Sequence, residues 1–231
     1  MARVVTMQDP RKIDYFYEEA IKTLRTNLMF SGKNVRKIML TSSFPNEGKS
    51  DVTIQLAKEF GNIGKRVVVV DADIRRSCLL TRYNVQEKVM GLSHYLGGMA
   101  ELEDVICHTS FKNVDIIFAG WAALNPSELL QDEAFDEMMT RLNEEYDYVF
   151  VDTPPMMSVI DAAVVAGKCD GAVLVIESGR VSYRAAQKCQ AQLTKAHCRL
   201  LGTVLNKVDV HKDKYYHRYG YYKHGYYGKE S

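Results

Sequence analysis

Ten residues constrain this chain more than any others: Thr41-Ser42-Ser43-Phe44-Pro45-Asn46-Glu47-Gly48-Lys49-Ser50. Before them, the apolar-biased Val35-Arg36-Lys37-Ile38-Met39-Leu40 has the length of a strand. After them, Val52, Ile54, Leu56, Ala57 and Phe60 recur as on one face of a helix. The order is strand, loop, helix, and the loop closes in Gly-Lys-Ser. That is the end of the phosphate-binding pattern G-x-x-x-x-G-K-[ST], with Ser43 where the first glycine usually stands. In such a loop, successive backbone N–H groups and a helix N-terminus surround phosphate oxygens. Lys49 reaches the β and γ oxygens, and the Ser50 hydroxyl can ligate Mg²⁺.

The rest of the chain repeats this alternation. Gly64-Lys65-Arg66 turns into Val67-Val68-Val69-Val70, a β-branched run suited to a parallel strand covered on both faces, and it ends in Asp71-Ala72-Asp73-Ile74-Arg75-Arg76. Carboxylates at the end of a buried strand need a cation or hydrogen bonds. Residues 88–112 read as short helices and turns. Val114 to Gly120 suggests a strand, and Pro126 starts a helix running to about Asn143. Tyr146 to Asp152 is a hydrophobic strand ending in an aspartate before Pro154 and Pro155, the form of the second acidic motif that holds Mg²⁺ in phosphate-loop enzymes. A short helix over 159–168, a strand over Gly171–Ile176, a helix over 182–197 and a strand over Leu200–Lys207 complete the series. About six strands linked through helices predict an α/β fold, a mostly parallel central sheet with helices on both faces. Ligands gather at the carboxyl ends of such strands, where the loop and both acidic motifs lie.

Totals bound the function. At 231 residues the chain suits one large α/β domain. Its 30 Lys and Arg against 29 Asp and Glu give a net charge of +1, so no global field favours nucleic acid, and none is expected as a partner. Cys78, Cys107, Cys169, Cys189 and Cys198 include no C-x-x-C, which speaks against a disulfide framework or zinc site and fits a reducing cytosol. No apolar run reaches the roughly 18 residues needed to span a bilayer, and the N-terminus is unlike a secretory signal, so the chain is expected to be soluble.

Residues 1–210 thus read as one folded domain, and 211–231 as a tail. Seven of the 14 tyrosines, Tyr215, Tyr216, Tyr219, Tyr221, Tyr222, Tyr226 and Tyr227, fall among its basic residues and glycines. With no aliphatic side chain after Val210, this segment is expected to remain mobile. Its aromatic and basic residues could stack on single strands or lie on a membrane; its hydroxyls could also be phosphorylated. Its side-chain charge is +3 with histidine neutral, and seven phosphates would take it to roughly −8 to −11, turning a weakly attractive arm into a repelled one. Ahead of the first predicted strand, residues 12–30 predict a helix whose polar face aligns Glu19, Lys22 and Arg25.

Taken in order, Glu19-x-x-Lys22-x-x-Arg25 with Leu24-Arg25-Thr26-Asn27, the loop, Val70-Asp71-Ala72-Asp73-Ile74-Arg75-Arg76, Asn125-Pro126-Ser127-Glu128-Leu129-Leu130, Val151-Asp152-Thr153-Pro154-Pro155 and the tyrosine cluster resemble one family. It is the bacterial protein-tyrosine kinases of the capsule and exopolysaccharide type, in their stand-alone cytoplasmic form. The resemblance covers nearly the whole chain. It implies a phosphate-loop NTPase architecture of the MinD/ParA kind, with ATP and Mg²⁺ as cofactors. By the same resemblance, Ser43, Asn46, Glu47, Gly48, Lys49, Ser50, Asp51 and Asn206 contact the nucleotide, and Ser50, Asp71 and Asp152 hold the metal. Lys49, Asp71, Asp73 and Asp152 are catalytic, Asp71 being assigned the base. The tail tyrosines are the acceptors, and Glu19, Lys22 and Arg25 form the contact of a ring in which tails pass between subunits. A transmembrane activator of the polysaccharide co-polymerase type is implied. It would recruit this cytoplasmic chain to the inner face of the plasma membrane to regulate polysaccharide polymerisation and export, with other proteins of polysaccharide synthesis as possible substrates. Lys22 replaces an arginine of the family pattern and loses its bidentate fork; Asn46 and Asp51 depart from the usual glycine and threonine. The alternative is a MinD/ParA-like nucleotide-switched dimeric ATPase acting at a membrane or DNA. Such proteins usually carry an additional lysine near the start of the loop, and Thr41 to Asn46 contains none.

Overall fold

The computed structural model describes residues 3–10 and 14–209. Strands β1 (Arg3–Val5), β2 (Lys37–Ser42), β3 (Val67–Asp71), β4 (Ile106–Thr109), β5 (Val114–Ile117), β6 (Tyr148–Asp152), β7 (Gly171–Glu177) and β8 (Leu200–Asn206) form a single sheet in the order β1-β4-β5-β3-β6-β2-β7-β8. Every neighbouring pair is parallel except β4 with β5. The helices are α1 (Tyr15–Met29), α2 (Lys49–Asn62), α3 (Leu79–Arg82), α4 (Leu92–Leu96), α5 (Leu102–Val105), α6 (Pro126–Gln131), α7 (Glu133–Glu145), α8 (Asp161–Ala166) and α9 (Tyr183–Lys195).

Because successive strand side chains point to opposite faces, each central strand feeds two cores. Ile38, Leu40, Val67, Val69 and Phe150 pack on one face with α1 and α2. Met39, Val68, Val70, Val149 and Val151 pack on the other with α7, α8 and α9. All five residues of β3 are buried, as a continuous β-branched run between two helical layers requires. Ring contacts among Phe60, Tyr148 and Phe150 fasten α2 onto β6, with centroids 4.3 and 5.4 Å from Phe60.

Three expectations are corrected. Among the described residues the sheet has eight strands rather than about six. The additions, β1 and β4, lie at one edge, and β4 sits within residues 88–112, which read as helices and turns. β1 also precedes α1, so the first predicted strand is the second. The helix expected to run from Pro126 to about Asn143 is two helices, because Asp132 leaves the helical region at ψ 150° and its carboxylate caps α7 by accepting from Ala134 N at 3.0 Å. Within the expected helix 12–30, residues 12 and 13 lie outside the described residues, and Asp14 caps α1 by accepting from Tyr17 N at 2.8 Å. The tail 211–231 and its seven tyrosines also lie outside the described residues. Among the described residues no helix is long and apolar enough to cross a membrane.

Candidate active site

The loop follows β2 and passes directly into α2. Asn46 at φ 67° and Gly48 at φ 88° give it its tight curl. A Cβ at Gly48 would also lie 2.2 Å from Asn206 Nδ2 and would displace that side chain from Glu47 O. Glu47 turns inward and is 2% exposed. Its carboxylate accepts from Phe44 N at 2.9 Å and Glu177 N at 3.5 Å. Asn206 Nδ2 donates to Glu47 O at 2.8 Å, and Lys207 Nζ donates to Asn46 O at 2.5 Å. Ser43 is fully buried, and Cys189 Sγ of α9 donates to its hydroxyl at 3.4 Å. Its side chain therefore faces the core, which leaves its backbone for any phosphate contact. Asp51, in the first turn of α2, pairs with Arg82 Nη1 of α3 at 2.8 Å, so its negative charge does not stand alone beside the loop.

Parallel pairing of β3 with β6 sets Asp71 opposite Asp152, both at strand ends and both buried. Lys49 Nζ lies 3.3 and 3.4 Å from the Asp152 carboxylate oxygens and 3.1 Å from Ser50 Oγ. Ser77 donates to Asp71 Oδ2, and Asp73 N donates to Asp71 Oδ1 at 3.2 Å. Burial, reinforced by the charge of Asp152, pushes the Asp71 carboxyl up from 3.8 to about 7, against the opposing effects of Ser77 and Lys49. Burial raises Asp152 also, against the pull of Lys49. On Lys49, burial disfavours the charge, but Asp152, Asp73 and Asp71 together outweigh it and hold the ammonium protonated beyond its ordinary range.

One ammonium thus serves two buried carboxylates, and a further cation would relieve both. Ser50 Oγ and the carboxylates of Asp152 and Asp71 supply hard oxygen donors of the kind Mg²⁺ takes. Among the described residues there is no cluster of three or more His, Cys, Asp or Glu side chains able to hold a metal alone. Mg²⁺ is ordinarily held by one or two carboxylates together with substrate phosphates, so the residues present fit it in company with a nucleotide.

Asp73 lies outside this buried pair. Its carboxylate accepts from Arg76 N at 3.1 Å and borders a cavity of about 190 Å³, shared with Arg75, Ser77, Thr81 and Gly120. The predicted oligomer face is engaged within the chain. Lys22 Nζ lies 2.8 Å from Glu18 and 3.0 Å from Glu19, while Arg25 Nη1 reaches Glu59 of α2 at 3.0 Å. Sequence reading missed Ser77, Arg82 and Lys207. It also missed the fork from Arg75 to the buried Asp161, at 2.5 and 3.0 Å, which ties the segment after β3 to α8. The Asp71-x-Asp73-x-Arg75 spacing was the only local signal among these.

A glycine-lysine-serine loop opening a buried helix, with two strand-end carboxylates converging on its lysine, defines a phosphate-loop NTPase site. Residues 35–201 match the AAA domain family. The tyrosine-protein kinase CpsD of Streptococcus pneumoniae is 38% identical over 213 residues, 92% of each chain. The kinase domain of the Escherichia coli tyrosine kinase ETK superposes with a TM-score of 0.80 at 34% identity, covering 83% of this chain and 76% of that one. The septum site-determining protein MinD of Pyrococcus horikoshii, solved with Mg-ADP, gives a TM-score of 0.66 at 27% identity, covering 75% and 71%. The chain belongs to the bacterial tyrosine-protein kinases of the capsule and exopolysaccharide type, built on the phosphate-loop fold that MinD shares.

Proposed function

We propose that this chain transfers the γ-phosphoryl group of ATP to tyrosines 215, 216, 219, 221, 222, 226 and 227 of another copy of itself. The convergence of Lys49, Asp71 and Asp152 at the mouth of the loop carries this reading. Lys49 and the amides from Asn46 to Ser50 bind the phosphates, and Asn206 meets the nucleotide from the end of β8. Ser50, Asp152 and Asp71 hold Mg²⁺, which when bound neutralises charge on the transferring phosphate. Asp71 accepts the phenolic proton, and Asp73 orients the incoming tyrosine.

The same reading gives the chain a place in the cell. Glu19, Lys22 and Arg25 meet a neighbouring subunit in a ring, and that contact competes with their present partners Glu18 and Glu59. A transmembrane activator of the polysaccharide co-polymerase type brings the chain to the cytoplasmic face of the membrane, and tail phosphorylation regulates polymerisation and export through the charge change it imposes. The test is phosphosite mapping by mass spectrometry on protein incubated with ATP, Mg²⁺ and an activator fragment. Wild type gains phosphate on the tail tyrosines, and Lys49→Met gains none. Undiminished incorporation in Lys49→Met would refute the site.

A further inference from the structure

The carbonyl groups of Asn46 and Glu47 are each held by a side chain from the end of the sheet's edge strand. Lys207 Nζ takes Asn46 O at 2.5 Å, and Asn206 Nδ2 takes Glu47 O at 2.8 Å. In a trans peptide the C=O and the next N–H point in opposite directions. Drawing these two oxygens toward β8 therefore turns the N–H groups of Glu47 and Gly48 to the other side of the loop, the side on which phosphate oxygens sit in loops of this pattern. Lys207 is itself positioned. Its backbone adopts φ 56°, unusual for a residue with a side chain, and its ammonium lies 3.0 Å from Glu177 Oε2, a carboxylate 17% exposed. Glu177 N in turn donates to the Glu47 carboxylate at 3.5 Å, so a short circuit of polar contacts joins β7, β8 and the loop.

We infer that Lys207 is a positioning residue for the nucleotide site: with Asn206 it clamps two loop carbonyls and so aims two backbone amides at phosphate. The inference rests on the phosphate-loop reading above. Without Lys207 the Asn46–Glu47 peptide is free to rotate, and the Glu47 amide leaves the cradle for part of the time.

The test uses Mg-ADP binding by calorimetry on the full chain, which requires no catalysis. Lys207→Met keeps the side chain's length and the backbone requirement but removes the donor. It weakens Mg-ADP affinity about tenfold, the loss of one charge-assisted hydrogen bond's worth of preorganisation. Lys207→Arg, which restores a cation able to reach both Asn46 O and Glu177, recovers most of that loss. In activated protein, Lys207→Met raises KM for ATP by a similar factor and leaves kcat near wild type, a split that general destabilisation does not produce. Unchanged Mg-ADP affinity in Lys207→Met, or no recovery in Lys207→Arg, overturns the inference. A wild-type chain that fails to bind Mg-ADP at all overturns the underlying phosphate-loop reading instead.

Discussion

Aspartates stand at both ends of this sheet, and the two ends treat them differently. At the amino ends of the strands, Asp170 Oδ2 accepts from Arg36 N at 2.9 Å and Lys37 N at 2.7 Å, and Asp147 Oδ2 accepts from Arg66 N at 2.8 Å. Asp115 accepts from Tyr146 OH at 2.7 Å and lies 2.7 Å from His108 Nδ1. Each carboxylate there tethers neighbouring strands through donors that the fold provides. At the carboxyl ends, Asp71 and Asp152 are more deeply buried yet share a single lysine, and both are pushed toward the neutral form. The same residue type is fully supplied with donors at one end of the sheet and left short of them at the other.

Replacing Asp71 tests that contrast most severely. Asp71→Asn lowers tyrosine phosphorylation at least about 100-fold, because the proposed base is gone. The same variant, without nucleotide or Mg²⁺, is more stable than wild type in urea, because the repulsion with Asp152 is gone. The gain depends on pH. Folding raises this carboxyl from 3.8 to about 7, so between those values the folded chain retains a proton that the unfolded chain releases. Wild-type stability therefore falls as pH climbs through that window. The advantage of Asp71→Asn widens over the same range, and equal urea midpoints at pH 5 and pH 8 would contradict it. At the amino end the sign reverses: Asp170→Ala orphans two backbone donors and destabilises the fold by about 2 kcal/mol, while Mg-ADP affinity stays as it was. A smaller effect is expected at the half-buried pair Arg82–Asp51, where Arg82→Ala costs about 0.5 kcal/mol in urea unfolding.

What the sequence revealed follows from how local each signal is. The loop, the valine run before Asp71 and the strand ending at Asp152 are contiguous patterns, so their residues and their common location at strand ends were legible. The edge strands were not. β1 and β4 have three and four residues, and β1 exists because Arg3 to Val5 align with residues about a hundred positions away, which no local periodicity records. The split at Asp132 was hidden because an aspartate between apolar repeats reads equally as a helix surface or a cap. Asp161 and Lys207 were missed because partners 86 and 161 positions away leave no spacing in the chain, and Ser77 because its reach to Asp71 crosses an irregular turn that follows no helix or strand period. Arg25 was legible as a charged helix position, but its reach to Glu59 was not.

The clamp on the loop also has a temporal side. Asn206 and Lys207 grip residues that precede them by 159 and 161 positions. During synthesis from the amino terminus, the ribosome releases the phosphate-binding segment early, and the two side chains that give it shape emerge only after seven of the eight strands have been made. A nascent chain halted before β8 carries the whole loop, yet lacks the two side chains that hold the Asn46 and Glu47 carbonyls. The loop's outer support therefore arrives last in translation, from the end of the sheet's final strand.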